Sequence, residues 1–408
     1  MTARKILLAD ADAFFVAVAR LTDPDGVGKE PLLVVGGSAK GRGVVTSASY
    51  ETRIYGVRSG MPMAQALRLC PQLVRTPVPG KACREKSRAI RATLEQFTPI
   101  VQAASIDEFY LDMTGTDELY AGETLRGIAQ RIRAAVLQET GIAVSIGGGS
   151  SKFIAKLAAK HAKPHRRSAN GVHIVPPGDE REFLAQQKLA DIPGIGPRLQ
   201  ERLARHDLRD VRQIMVLDEE TLVSNFGDRT GKWLFRRVRG IDTSSVVTHT
   251  RAKSMSHEQT FAADLYHDRD LDQRLTRLAS RVAAELRSKN RMARTVTVKL
   301  RDADFTTRQA SKTLKQPVDS DQSIASTARQ LLRKLRDARR TGARLLGVAV
   351  SHFDDEREQQ DQLSLFENPE ESASVNERDR RLTSAVDSIN TRFGTERIVR
   401  GSTVNPNH

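Results

Sequence analysis

Leu271, Leu275, Leu278, Val282 and Leu286 step by three and four residues, as do Ile324, Ala328, Leu331 and Leu335 further on. That spacing puts one apolar stripe on each of two long helices, and neither stripe can be left in water. Around the helices, expected over 268–288 and 320–338, β-like runs appear at 254–262, 294–302, 307–316 and 343–353. The order βαββαβ predicts a compact domain of about 100 residues.

The preceding chain mixes the two periods differently. RKILLA (4–9) and PLLVVG (31–36) read as strands, and GGSAKGRG (36–43) links the second to VVTSASYETR. PMAQALRLC (62–70) and CREKSRAIRATLEQF (83–97) have helical spacing, followed by strand, hairpin and strand over 100–113. Residues 122–138 are helical, IAVSIGGG (142–149) is a strand, and SSKFIAKLAAKHA (150–162) is a helix with a serine start. Such an order makes an α/β or α+β body of roughly 170 residues. From 182 to about 240 the pattern is helical, and GIDTSSVVTHTRAK (240–253) has the composition of a linker. The tail from 354 is acidic and polar and reads as disordered around one apolar island, with a last helix expected from Glu377 to Phe393.

Charge narrows the partners. The chain carries 65 Lys plus Arg against 50 Asp plus Glu, a net charge of +15. That surplus favours a polyanion, nucleic acid ahead of an anionic membrane, because no basic amphipathic helix with a Trp or Phe anchor is evident. No apolar run approaches membrane-spanning length, and MTARKILLADADAFF lacks the apolar core and cleavage site of a secretory signal. Two cysteines, Cys70 and Cys83, are too few for a disulfide framework or a Cys-rich zinc site. A cytoplasmic, reducing setting is expected.

ASIDEFYLD (104–112) sets Asp107 beside Glu108 between two β-like runs. Neighbouring side chains in a strand face opposite ways, so both acids can meet one metal only at a hairpin tip. Upstream, LLADADAFF (7–15) ends a strand at Asp10 and places Asp12 where an N-cap would begin a helix. If these strands pair, Asp10, Asp107 and Glu108 converge. Carboxylates without His or Cys select hard divalent ions, chiefly Mg²⁺, and two such ions support in-line attack at phosphorus. The plainer reading is a cap, a strand end and a polar turn.

Lys163 in AKP (162–164) can reach phosphate oxygens, and SASYETR (47–53) offers hydroxyls with Tyr50 and Arg53 one helical turn apart. Neither GGSAKGRG nor GGGSSK satisfies G-x-x-x-x-G-K-[ST], which disfavours an ATPase. DIPGIGPRLQERL (191–203) reads as helix, glycine turn and helix, anchored by Ile192, Ile195, Leu199 and Leu203. Gly194, Gly196 and Arg198 would there grip a nucleic-acid backbone without reading bases.

LLADADAFFVAV, GVVTSASYETRIYGVRSGMPMAQA, ASIDEFYLDMTG, KFIAKLAAKHAKP and LADIPGIGPRLQERL occur in the order seen in Y-family translesion DNA polymerases, and over about residues 4–355 the chain most resembles the bacterial DNA polymerase IV type. The resemblance implies a right-hand, α+β multidomain fold. Its parts would be a palm (1–16 and 79–167), small fingers (17–78) and a helix-hairpin-helix thumb (168–240). A linker (241–253), a βαββαβ little finger (254–353) and a disordered C-terminal tail (354–408) would follow. It assigns Asp10, Asp107 and Glu108 as catalytic metal ligands, with Ala11 adding its carbonyl, for two Mg²⁺ ions. Phe14, Phe15, Ser47, Tyr50, Arg53 and Lys163 become the dNTP site, with Phe15 as the gate that excludes a ribose 2′-hydroxyl. Arg294, Lys299, Arg301, Arg308 and Lys312 become phosphate contacts of the little finger. KPHRRSANG departs from the family's shorter KPNG type and is more basic.

Gln362, Leu363, Leu365 and Phe366 in DQLSLFENP resemble the motif by which bacterial polymerases attach to the sliding clamp. The expected function is low-fidelity, template-directed DNA synthesis past damaged bases, without a proofreading exonuclease. The expected partners are primer–template DNA, dNTPs and the clamp, with the chain acting as a monomer. Competing readings are a catalytically inactive, clamp-linked scaffold, a nucleotidyl cyclase and a structure-specific nuclease. Retained carboxylates oppose the first. The second has no use for PGIGP or the basic little finger, nor the third for a triphosphate site.

Overall fold

The computed structural model describes residues 4–164, 170–249 and 251–355, together with 385, 389 and 392. The QLSLF residues and most of the helix expected over 377–393 lie outside the described residues, as does most of the basic stretch after Lys163. Contacts divide the chain into two compact units between 250 and 251, with Lys40–Arg42 counted in the second.

The first unit opens with β1 (Ile6–Ala11) and α1 (Phe14–Thr22), then β2 (Leu33–Gly36), β3 (Val45–Ala48), α2 (Tyr50–Ile54), α3 (Met63–Leu69) and β4 (Val74–Thr76). After α4 (Gly80–Glu95) come β5 (Val101–Ala103), β6 (Glu108–Asp112), α5 (Leu125–Thr140), β7 (Val144–Gly149), α6 (Lys152–Ala162) and β8 (Val172–Ile174). A helical run follows: α7 (Glu180–Ala185), a 3₁₀ turn at Leu189–Asp191, α8 (Pro197–Ala204), α9 (Val211–Met215), α10 (Glu219–Phe226) and α11 (Asp228–Val238).

β1 is apolar on both faces because it is the middle strand of a sheet ordered β5-β6-β1-β7-β8. Leu7, Ala9 and Ala11 pack with Ile90 and Leu94 of α4 and Ile132 and Val136 of α5. Ile6 and Leu8 face the other way, onto Ala155 and Ala159 of α6. Alternation therefore puts Asp10 on the α6 side.

The glycine run of β7 sets how close α6 comes. A Cβ on Gly147 would lie 2.0 Å from the Ala159 nitrogen and 2.2 Å from the Ala155 carbonyl oxygen. Both are helix backbone and cannot turn aside. Gly147→Ala should push α6 off the sheet and lower stability by about 3 kcal/mol, the upper end of ordinary overpacking. A thermal melt measures this, and an unchanged melt would show that the helix can shift freely.

A second sheet, β3-β2-β4, carries its own small core of Val34, Val45, Met63 and Ala66. The helical run packs Ile192, Ile195, Leu203, Leu234 and Val238 together. Its glycine hairpin departs from expectation in one limb, since the segment before the turn is a 3₁₀ turn rather than a full helix.

The second unit comprises β9 (Ser254–Leu265), α12 (Asp268–Ser288), β10 (Arg291–Asp302), β11 (Thr307–Val318), α13 (Asp321–Ala338) and β12 (Ala343–Asp355). This is the expected βαββαβ order, in a sheet arranged β11-β10-β12-β9. The apolar stripes of both helices meet Val296, Val298, Leu300, Leu346, Val348 and Val350. Ser320 caps α13 by accepting from the Ser323 N–H at 3.2 Å, so the helix begins one residue later than its spacing suggests. Among the described residues, no helix is long and apolar enough to cross a membrane.

Candidate active site

Asp10 and Glu108 stand opposite one another in the antiparallel β1–β6 pair, so their side chains share the α6 face. Asp107 is the last loop residue before β6, and its carbonyl accepts the Ala11 N–H at 2.9 Å. Ser105 Oγ donates to Asp107 Oδ1 at 2.5 Å and accepts the N–H groups of Asp107 and Glu108 at 3.3 and 3.1 Å. This serine-centred turn breaks the strand alternation and brings two consecutive acids to one edge.

Two lysines from α6 and its C-cap meet the acids. Lys156 Nζ donates to both oxygens of Glu108, at 3.0 and 2.7 Å. Lys163 Nζ donates to Asp10 Oδ1 at 2.6 Å and to the Asp10 carbonyl at 3.1 Å. Burial pushes the Asp10 carboxyl above the usual range, Lys163 pulls it back, and Glu108 and Asp107 add to the rise. Among the described residues, no group of three or more His, Cys, Asp or Glu side chains is arranged to hold a metal ion. The donor set still fits Mg²⁺. It is all oxygen, it concentrates negative charge at a partly desolvated strand end, and it already draws cationic groups.

Asp12 does not cap α1. The N-cap is Ala13, in the left-handed conformation (φ 45°, ψ 45°) and without a side-chain cap bond. Such a backbone costs a non-glycine residue roughly 1–2 kcal/mol, and here it accompanies a carboxylate turned inward. Asp12 Oδ1 accepts from Ser145 Oγ at 2.8 Å, Lys163 Nζ at 2.9 Å and Tyr50 Oη at 3.3 Å.

Tyr50 begins α2, whose cap Ser49 accepts the Thr52 N–H at 3.2 Å. Burial, with Asp12 next, pushes the Tyr50 phenol well above its ordinary value, so it remains a neutral donor. Arg53 stacks its guanidinium 4.6 Å from the Tyr50 ring centroid and donates Nε–H to the Ala48 carbonyl at 3.0 Å. Ser47 is buried on β3. The structure thus joins Asp10, Tyr50 and Lys163 in one network and places Arg53 against it.

Phe15 is half-buried, whereas Phe14 is 2% exposed within the main core. Phe14 is therefore corrected from a substrate-contacting residue to a core residue. Its ring meets that of Phe15 edge-on at 5.4 Å and supports it.

In the helical run, Gly194 takes φ 101°, and a Cβ there would lie 2.5 Å from the Trp233 ring. Gly196 has open space around it and caps α8, followed by Pro197 at the first helical position. Gly194, Gly196 and Arg198 are all exposed.

In the second unit, the candidate DNA contacts divide between sheet faces. Lys299 and Arg301 alternate with the buried Val298 and Leu300, and so lie on the open face. Cross-strand hydroxyl pairs line the same face, Thr295 with Thr313 and Thr297 with Ser311, both at 2.9 Å. Arg308 and Lys312 share the parity of Ala310 and Leu314, which pack on the core, so both belong to the helix-covered face. Arg308 grips the fully buried Asp302 at 3.1 and 3.0 Å, and Lys312 donates to Gln330 of α13 at 3.0 Å. Arg308 is thus corrected from a phosphate contact to a structural residue, whereas Lys312 stays exposed on the helix-covered side of the sheet. Arg294 is held by Asp354 at 2.6 Å.

Sequence reasoning missed Lys156, Ser105 and Ser145. Lys156 lies seven residues before Lys163, two helical turns along one face. Ser145 is the β7 partner of Asp10.

Known families match each of these regions. Residues 9–160 fit the model of the impB/mucB/samB family, and 252–365 fit that family's C-terminal domain. Residues 190–242 fit a thumb domain described for DNA polymerase iota. The chain belongs to the Y-family DNA polymerases. Its relatives include the DNA polymerase IV of Dehalococcoides mccartyi (strain CBDB1), 36% identical over 353 residues, covering 86% of this chain and 88% of that one. The DNA polymerase IV of Desulfatibacillum aliphaticivorans is 36% identical over 396 residues, covering 97% and 96%. Among solved structures, a Y-family DNA polymerase chimera of Dbh and Dpo4 superposes with a TM-score of 0.75 at 24% identity, over 86% of this chain and all of that one. An insertion ternary complex of Dbh DNA polymerase gives 0.59 at 25% identity, with the same coverage.

Proposed function

We propose that this DNA-directed DNA polymerase copies past damaged bases with low fidelity. The observation that carries this is the pairing of Asp10 with Glu108 across β1 and β6, with Asp107 adjoining and a lysine–tyrosine–arginine group beside them.

In this reading, residues 1–16 and 79–167 are the palm, 17–78 the fingers, 168–240 the thumb and 254–353 the little finger. Asp10, Asp107, Glu108 and the Ala11 carbonyl would hold two Mg²⁺ ions. Bound magnesium supplies the charge that activates the primer 3′-hydroxyl and neutralises the departing pyrophosphate. Ser47, Tyr50, Arg53 and Lys163 bind and orient the triphosphate, and Phe15 lies against the sugar. Gly194, Gly196 and Arg198 grip the DNA backbone. Fingers built on so small a sheet would leave room for a distorted templating base. Gln362, Leu363, Leu365 and Phe366 attach the polymerase to the sliding clamp, which places it with the DNA in the cytoplasm.

The translesion reading is tested by extending primers on undamaged and abasic templates. Extension opposite the abasic site supports it, and efficient copying that halts at every lesion would reject it. The open sheet face gives a separate expectation. Lys299→Ala and Arg301→Ala should each weaken DNA binding across sequences and lower the salt slope by about 1. An unchanged slope in a fluorescence titration would remove that residue from the interface.

A further inference from the structure

Lys163 has no hydrogen to spare. Its ammonium carries three, and these go to Asp10 Oδ1, the Asp10 carbonyl and Asp12 Oδ1. A phosphate oxygen can gain one only by exchange. Asp12 is the partner that also meets the other triphosphate-side groups. It is 8% exposed, and its Oδ1 collects Lys163, Tyr50 and Ser145, while among the described residues its buried Oδ2 accepts no hydrogen bond. The left-handed Ala13 and the bond from the Asp12 N–H to the Ala143 carbonyl at 2.9 Å turn the side chain inward.

We propose that Asp12 is a positioning residue for the incoming nucleoside triphosphate, anchoring Lys163 and Tyr50 on one oxygen. Lys163 then exchanges its Asp10 contact for phosphate while its contact to Asp12 keeps it in place. The inference rests on the polymerase reading and adds to it a carboxylate that touches neither substrate nor primer. Charge alone argues the opposite way. A negative group beside a triphosphate binder repels the ligand, so a purely electrostatic role makes Asp12→Asn bind nucleotide more tightly. Positioning makes it bind more weakly.

The test measures equilibrium dNTP binding to the enzyme on a dideoxy-terminated primer–template, together with kcat and KM on an extendable primer. Asp12→Asn keeps the shape and can still accept from Tyr50 and Ser145. It should raise Kd and KM about tenfold, the scale of weakening one hydrogen bond to a charged group, with kcat changed much less. Lys163→Ala should lose more, and adding Asp12→Asn to it should cost little extra, because the two act through one contact. Thermal melting of Asp12→Asn should stay near wild type. Where Asp12→Ala melts lower, the asparagine variant carries the comparison alone. Unchanged or tighter nucleotide binding by Asp12→Asn, or full additivity with Lys163→Ala, would overturn the proposal. A wild-type enzyme that neither binds dNTP nor extends the primer would overturn the polymerase reading instead.

Discussion

Asp107→Ala and Glu108→Ala each slow nucleotide addition at least ~10³-fold, the scale of removing a group that stabilises transition-state charge, while the protein stays folded. The separation follows from where the two side chains sit. Asp107 is a half-buried loop residue bonded to Ser105, so its loss removes little packing. Glu108 pairs with Lys156, whose side chain is 40% exposed and can return to water. An exposed pair of this kind contributes about 0–1 kcal/mol. Single-turnover extension beside a thermal melt checks both halves. If activity and melting temperature fell together, the acids would be structural. Asp10→Ala is less clean, because it strips a partner from the largely buried Lys163.

Phe15→Val admits ribonucleotides, improving their kcat/KM relative to dNTPs by about 10²-fold, the scale on which a pocket discriminates by shape alone. Phe15 can act on a ligand because it is only partly buried, whereas Phe14 is sealed in the core. Phe14→Val should therefore cost stability and leave sugar choice less altered. The two variants together distinguish a gate from a general loosening of α1. Parallel dNTP and rNTP titrations decide it, and equal ratios in wild type and Phe15→Val would remove the gate.

The second unit was nearly complete in its sequence. Its helices are long and one-sided, so the stripes from Leu271 and Ile324 located both, and α12 spans the expected 268–288. Strand ends ran a few residues further than the alternation suggested, through the β10–β12 pairing of Arg291 with Asp355 that no local pattern announces. Lys299 and Arg301 lie on the open face, but the face of Arg308 and Lys312 was legible and misread. Ala310 and Leu314 share a parity with Arg308 and Lys312, which places all four on the helix side.

In the active site, residue types were readable and partners were not. Asp10 and Lys163 lie 153 residues apart, and the packing of α6 on β1 and on Gly147 of β7 brings them together. Asp12 looked like a cap because a carboxylate before FFVAV has that local meaning. The tertiary contacts to Ser145, Tyr50 and Lys163 prevailed over it, with Ala13 forced left-handed. Lys156 carried no signal beyond its helical phase with Lys163, since lysines on a helix usually face water.

Template-dependent single-nucleotide extension with Mg²⁺, comparing wild type with Asp107→Ala, tests the central claim most directly. Wild type should add the nucleotide complementary to each template base most efficiently, and Asp107→Ala, equally folded and equally bound to DNA, should add almost none. Template-independent addition, or extension by Asp107→Ala at the wild-type rate, would contradict it.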